Sequence, residues 1–216
     1  MKKSSSKNMI ISFPNYSKNI LWSISFLGIL ILNACGSSSD SYVPKPTGFN
    51  RIDLPEATYQ AMKEDHPYSF EYSKQAYIRP DSSGIKEPHW IHIIYPGFKA
   101  DVQITYKSLD KDPAFLAEFI DDSHRLISKH MIKASGVEES VIKTPSGKTA
   151  SIYELEGEVP SQFQFYISDS SKHFMRGALY FRTATKNDSL APVIEFIKKD
   201  IIHMLNTTKW DYEKKQ

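Results

Sequence analysis

Cysteine is nearly absent from this sequence. One residue, Cys35, serves 216 positions, so no intramolecular disulfide can form and no zinc centre can rest on paired thiolates. Acidic residues are missing from the first 34 positions, where Lys2, Lys3, Lys7 and Lys18 supply all the charge. No apolar run is long enough to span a bilayer comfortably. The main one, Ile20 to Leu32, rises only about 20 Å as a helix against a hydrocarbon core of about 30 Å. Beyond Cys35 there is no long basic run, which argues against nucleic acid as a partner. No Gly-x-Ser-x-Gly elbow and no His-Glu-x-x-His helix motif occurs, so the usual signs of a serine hydrolase and of a zinc peptidase are both missing.

What is present at the start is an address. A basic opening, a short apolar core and small residues before a cut make a secretory signal. The core ends in Leu32-Asn33-Ala34-Cys35, which resembles a bacterial lipobox, although Asn33 replaces the small or aliphatic residue most often found there. The resemblance implies cleavage after Ala34, an S-diacylglycerol on the Cys35 thiol and an acyl group on the new amine. Two or more chains matter, because one acyl chain binds membranes only marginally. Residues 1–34 are thus expected to be a signal peptide, and 35–48 a lipidated cysteine with a flexible tether. Residues 49–216 are expected to form one domain. Taking the four signal lysines from 27 basic residues leaves 23 against 25 acidic ones, so the exported chain is slightly acidic. The tether GSSSDSYVPKPTG (Gly36 to Gly48) reaches about 43 Å when fully stretched.

The domain reads as α+β. Phe49 to Leu54, Tyr68 to Tyr72 and Ala76 to Ile78 suggest short strands. His89 to Tyr95 is apolar on both alternating faces, which suggests a central strand. Val102, Ile104 and Tyr106 share one face of the next. Asp112-Pro113 is a helix start, with Phe115, Leu116, Phe119, Leu126 and Ile127 along one side. Strands follow at Val137 to Lys143, Thr149 to Leu155, Gln162 to Ile167 and His173 to Thr183. A helix from about Ser189 to Leu205 closes the domain, with Pro192 in its first turn, and Lys209 to Gln216 reads as a frayed tail. This order predicts a mainly antiparallel sheet with two packed helices. At the level of fold it resembles the Mog1/PsbP-type sandwich.

Chemistry is harder to find. Gly147-Lys148-Thr149 ends like a phosphate-binding loop, but Ile142 stands where the first glycine is needed and a strand follows instead of a helix. Nucleotide binding is therefore not expected. His89 and His92 fall on opposite sides of a strand, and His124 and His130 on different sides of a helix. His66 reads as a loop residue, so neither a metal nor a cofactor is expected. The adjacent pairs Asp121-Asp122 and Glu138-Glu139 read as solvated surface, Arg176, Tyr180 and Arg182 as an outer sheet face, and Trp90 as core.

Four segments in a fixed order carry a family resemblance: YVPKPTGFNRIDLP (Tyr42 to Pro55), HPYSFEYS (His66 to Ser73), EPHWIHIIYP (Glu87 to Pro96) and ADVQITYK (Ala100 to Lys107). With the lipobox upstream, the chain resembles the gliding motility lipoprotein GldD family of Bacteroidota-type bacteria. That resemblance implies an envelope lipoprotein required for gliding, in a system linked to type IX secretion, with only Cys35 as a functional position. The expected role is a non-enzymatic assembly or stabilising component. It would be anchored to a bilayer through Cys35 and contact other gliding or secretion envelope proteins. The outer membrane, facing the periplasm, is favoured over the inner. The alternative is a periplasmic lipid-anchored enzyme or small-ligand-binding protein, which would need a pocket of converging polar groups with shifted pKa values.

Overall fold

A computed structural model describes residues 52–182 and 187–212. The expected signal peptide, the Ala34–Cys35 junction and the expected tether all lie outside them.

The described residues contain eleven strands and two long helices. The strands are β1 Tyr59–Ala61, β2 Tyr68–Ser69, β3 Glu71–Ser73, β4 Tyr77–Pro80, β5 Ile91–Tyr95, β6 Ala100–Ser108, β7 Gly136–Lys143, β8 Thr149–Glu156, β9 Phe163–Ser168, β10 His173–Phe181 and β11 Lys209–Trp210. The helices are α1 Pro113–Met131 and α2 Asn187–Thr207. Seven strands form one antiparallel sheet in the order β4-β5-β6-β10-β9-β8-β7. The chain builds β4 to β6, crosses to the far edge through α1, then returns by hairpins until β10 lies beside β6. This is the α+β architecture expected.

Alternation in the strands decides what each sheet face does. Ile91, Ile93, Val102, Ile104, Ile152, Phe165, Ile167, Met175 and Leu179 point to one face. There they meet Val193, Ile197, Ile201 and Met204 of α2 in a single large core. Pro192 lies inside α2, which begins at Asn187, so it sits beyond the first turn. The other face packs on α1 through a small cluster of Ile127, Tyr153, Leu155 and Val159. Asp112 caps α1 by accepting from the Ala114 N–H at 2.8 Å, and Pro113 takes the first helical position. These are the residues that marked the start in the sequence.

Several strand expectations need correction. Residues 52–57 are not in a strand, and Leu54 is exposed. Tyr68 to Tyr72 is not one strand. Phe70 separates β2, which pairs with β11, from β3, which pairs with β1. The aromatic alternation was real, but neighbouring tyrosines serve two different two-stranded sheets. Strand β5 lies one place in from the edge, because β4 covers its outer side. The tail is not frayed at its start: Trp210 is fully buried. The Pro145-Ser146-Gly147 segment is a hairpin turn, with Gly147 at φ +80° where a glycine pays no steric penalty.

Candidate functional site

One end of the large sheet gathers a cluster of aromatic and titratable side chains. There β5 begins, β6 ends and β10 begins, and β2 and β11 contribute flanking residues. A cleft of about 890 Å³ opens here, lined among others by His89, Tyr106, Lys107, Lys172, His173 and Asp211. His89 is not on β5. It precedes the strand at φ 68°, a left-handed backbone that non-glycine residues rarely take and that recurs at functional sites. The opposite-faces argument for His89 and His92 therefore does not apply.

Hydrogen bonds and stacked rings tie this end together. Tyr68 donates its hydroxyl to the His89 carbonyl at 2.6 Å. The Nδ1 atoms of His66 and His89 lie 3.0 Å apart, so one ring donates and the other accepts. His66 stacks on Tyr68, and His89 meets the Tyr106 ring edge-on. The Tyr106 hydroxyl lies 2.8 Å from His173 Nδ1, and His173 Nε2 lies 3.3 Å from an Asp211 carboxylate oxygen. His173 also stacks on Trp210 at 4.9 Å. Asp169 accepts the backbone N–H groups of Ser171, Lys172 and His173 and so fixes the turn that delivers His173.

The electrostatics set the chemistry. Burial, followed by the charges of Asp211, Asp169 and Asp110, pushes the Tyr106 phenol up to about 12. Burial drives Tyr68 higher still. Burial alone would raise Asp169, but the three backbone donors outweigh it and hold this carboxyl below its ordinary value. A phenol held neutral is a hydrogen-bond donor. A phenol that attacks or takes a proton needs a lowered pKa, the opposite shift. The Tyr106–His173–Asp211 chain has the outline of an acid–base relay, with the Tyr106 hydroxyl held neutral and able to donate to an acceptor.

The other sequence candidates are scattered. His92 lies between Asp101 at 3.0 Å and Asp81 at 3.4 Å. His124 bonds the Tyr153 hydroxyl at 2.8 Å, and Tyr153 donates to Glu139 at 2.8 Å. Asp122 pairs with Arg125 one helical turn away. Arg176 is not on an open outer face. It is half-buried beneath α1 and donates to Gln164 at 3.1 Å, with its desolvated charge held below the usual guanidinium range. Trp90 is partly buried and donates to the Tyr106 carbonyl at 3.0 Å. Among the described residues, no group of three or more His, Cys, Asp or Glu side chains is placed to hold a metal ion. No helix among them is long and apolar enough to cross a membrane. The cleft residues went unread in the sequence because they come from five separate segments. A histidine before proline (His66-Pro67), aromatic β2, and a histidine opening β10 carry no common spacing.

The chain is similar to a solved structure titled "Solution Structure of Cyanobacterial PsbP (CyanoP) from Synechocystis sp. PCC 6803". The identity is 11%, covering 74% of this chain and 97% of that one, with a TM-score of 0.44. No curated protein matches the chain. A family profile described as "Gliding motility lipoprotein GldD" matches residues 39–210, which takes in both helices and all eleven strands. The chain belongs to the gliding motility lipoprotein GldD family and, as a member, is a membrane-anchored protein of the cell envelope.

Proposed function

We propose that this protein is a non-enzymatic component of the gliding machinery that assembles or stabilises its neighbours, in a system linked to type IX secretion. The observation that carries the reading is family membership across the whole described domain. In this reading Cys35 carries the lipid after cleavage behind Ala34, and the domain faces the periplasm from the outer membrane. Its partners are the bilayer and other gliding or secretion envelope proteins. Quantitative proteomics of envelopes lacking this chain tests it. At least one other envelope protein of the machinery should fall severalfold and recover on complementation. Unchanged levels and unchanged complexes throughout would contradict it.

A second reading has one observation in its favour. The cleft gathers His89, Tyr106 and His173 with Lys107 and Lys172, an arrangement suited to a small hydrogen-bond-accepting ligand. A ligand-binding protein or enzyme would then depend on the Tyr106 hydroxyl.

A further inference from the structure

The two edges of the large sheet are built differently. Edge strands present unpaired backbone groups, and proteins blunt them with short length, proline, charge or bulges. Strand β4 follows that practice: it has four residues, Tyr77–Pro80, and closes on Arg79 and Pro80. Strand β7 does not. It has eight residues, GVEESVIK, without proline. Its register with β8 runs unbroken from Gly136↔Glu156 to Lys143↔Thr149, so no bulge twists it away. Among the described residues β8 is its sole strand neighbour.

The side chains along β7 differ by face. Val137 pairs with Leu155 on the α1 side, and Val141 lies two pleats on. They are 41% and 63% exposed, aliphatic side chains left partly open. On the α2 side Glu138 stands directly opposite Glu154, a like-charge pair that costs stability unless neutralised. Lys198 answers Glu154 and Glu195. Glu138 and Glu156 line the same cleft of about 400 Å³ with no cation of their own among the described residues. The acidic side of this cleft thus has one lining cation, Lys198, already shared between Glu154 and Glu195, along the same edge that lacks a strand.

We propose that β7 receives an extended segment of a partner protein as an eighth strand, with aliphatic and basic side chains alternating along it. The backbone edge supplies main-chain hydrogen bonds, as in other strand additions. The aliphatic residues cover Val137 and Val141, and the basic ones meet Glu138 and Glu156. This rests on the partner-contact reading above and names the surface for it.

Photo-crosslinking in gliding cells tests both and separates them. A photoreactive residue replaces Val141 at the β7 edge, Leu126 on α1 or Tyr77 at the β4 edge, each in the full-length chain. Crosslinked peptides are identified by mass spectrometry. The expected result is a crosslink from position 141 to an extended segment of alternating basic and aliphatic residues. Adding Glu138→Lys should cut its yield at least tenfold while the level is unchanged and the melting temperature does not fall. Both substituted positions are solvent-facing, so folding is preserved. Crosslinks from 126 or 77 alone would overturn the β7 proposal and leave the partner reading standing. A crosslink from 141 to a segment of different character, or one indifferent to Glu138→Lys, would also overturn it. Crosslinks from none of the three would count against both readings.

Discussion

The two faces of the large sheet are made from the same strands and do different work. On the α2 face nearly every inward residue is aliphatic or aromatic, and Ile197, Leu179 and Ile167 are fully buried. On the α1 face the strands offer His92, Asp101, Gln103, Thr105, Gln164 and Arg176, in register with one another. The covering helix buries only Ser123 and Ile127. Apolar burial contributes roughly 25 cal/mol per Å², so the α2 face holds the fold together. The α1 face adds little cohesion and leaves Phe115, Leu126 and Met131 partly open. A domain secured from one side can spend its other side and its free edge on neighbours.

Substitutions on the two helices should show the largest contrast. Ile197→Ala removes a fully buried side chain from the α2 core and should cost about 2–5 kcal/mol. Leu126→Ala, on an exposed stretch of α1, should stay within about 0.5 kcal/mol. Urea unfolding of both variants checks this, and equal losses would erase the distinction between the faces. Next in size is Gly177→Ala. A Cβ there would lie 2.2 Å from the Phe165 ring and 3.0 Å from Ile104, so the ring must shift. The expected loss is about 1–3 kcal/mol, and an unchanged melting temperature would show that the α2 face is looser than described.

Two carboxylates sharpen the contrast through pH, with smaller effects. Burial raises Asp200 above its ordinary value of 3.8, against hydrogen bonds from Ser73, Tyr59 and Tyr95 that lower it. Its contribution to stability is therefore full below about pH 3.8 and is lost as pH rises through the raised value. Asp169 is held below 3.8. Its contribution is present above that value and is lost as pH falls through the lowered one. Asp200→Asn should flatten the decline on the rising side, and Asp169→Asn the decline on the acid side. Unfolding midpoints across pH 2 to 7 measure both slopes, and an exchange of the two effects would refute the assignment.

Much of this division was legible in the sequence, and the exceptions have physical reasons. Val102, Ile104 and Tyr106 announced the core face by alternation, and Asp112-Pro113 announced α1 by capping chemistry. Helix α2 declared its buried side through Val193, Ile197, Ile201 and Met204. Alternation does not name a strand's partner, so Tyr68 and Tyr72 looked like one element while serving two. Trp210 looked like tail because two residues are too few to show a period, and pairing with β2 together with the His173 ring and the main core buries it. Arg176 followed the polar half of β10 and was read as open surface, whereas α1 lies over it. The cleft stayed hidden because His66, His89, Tyr106, His173 and Asp211 meet only through tertiary structure. The proposed lipid address at Cys35 is local, a matter of neighbours in sequence, and lies outside the described residues.

The central claim is that the protein works by contact and not by chemistry in its cleft. The most direct measurement is gliding speed in cells whose only copy carries Tyr106→Phe together with Asp211→Asn. The ring stays in place while the hydroxyl and the carboxylate charge are lost. With envelope level and melting temperature matched to the parent, the account predicts gliding at the parental speed. Non-gliding cells with a normally folded, normally anchored variant would contradict it and transfer the function to the cleft.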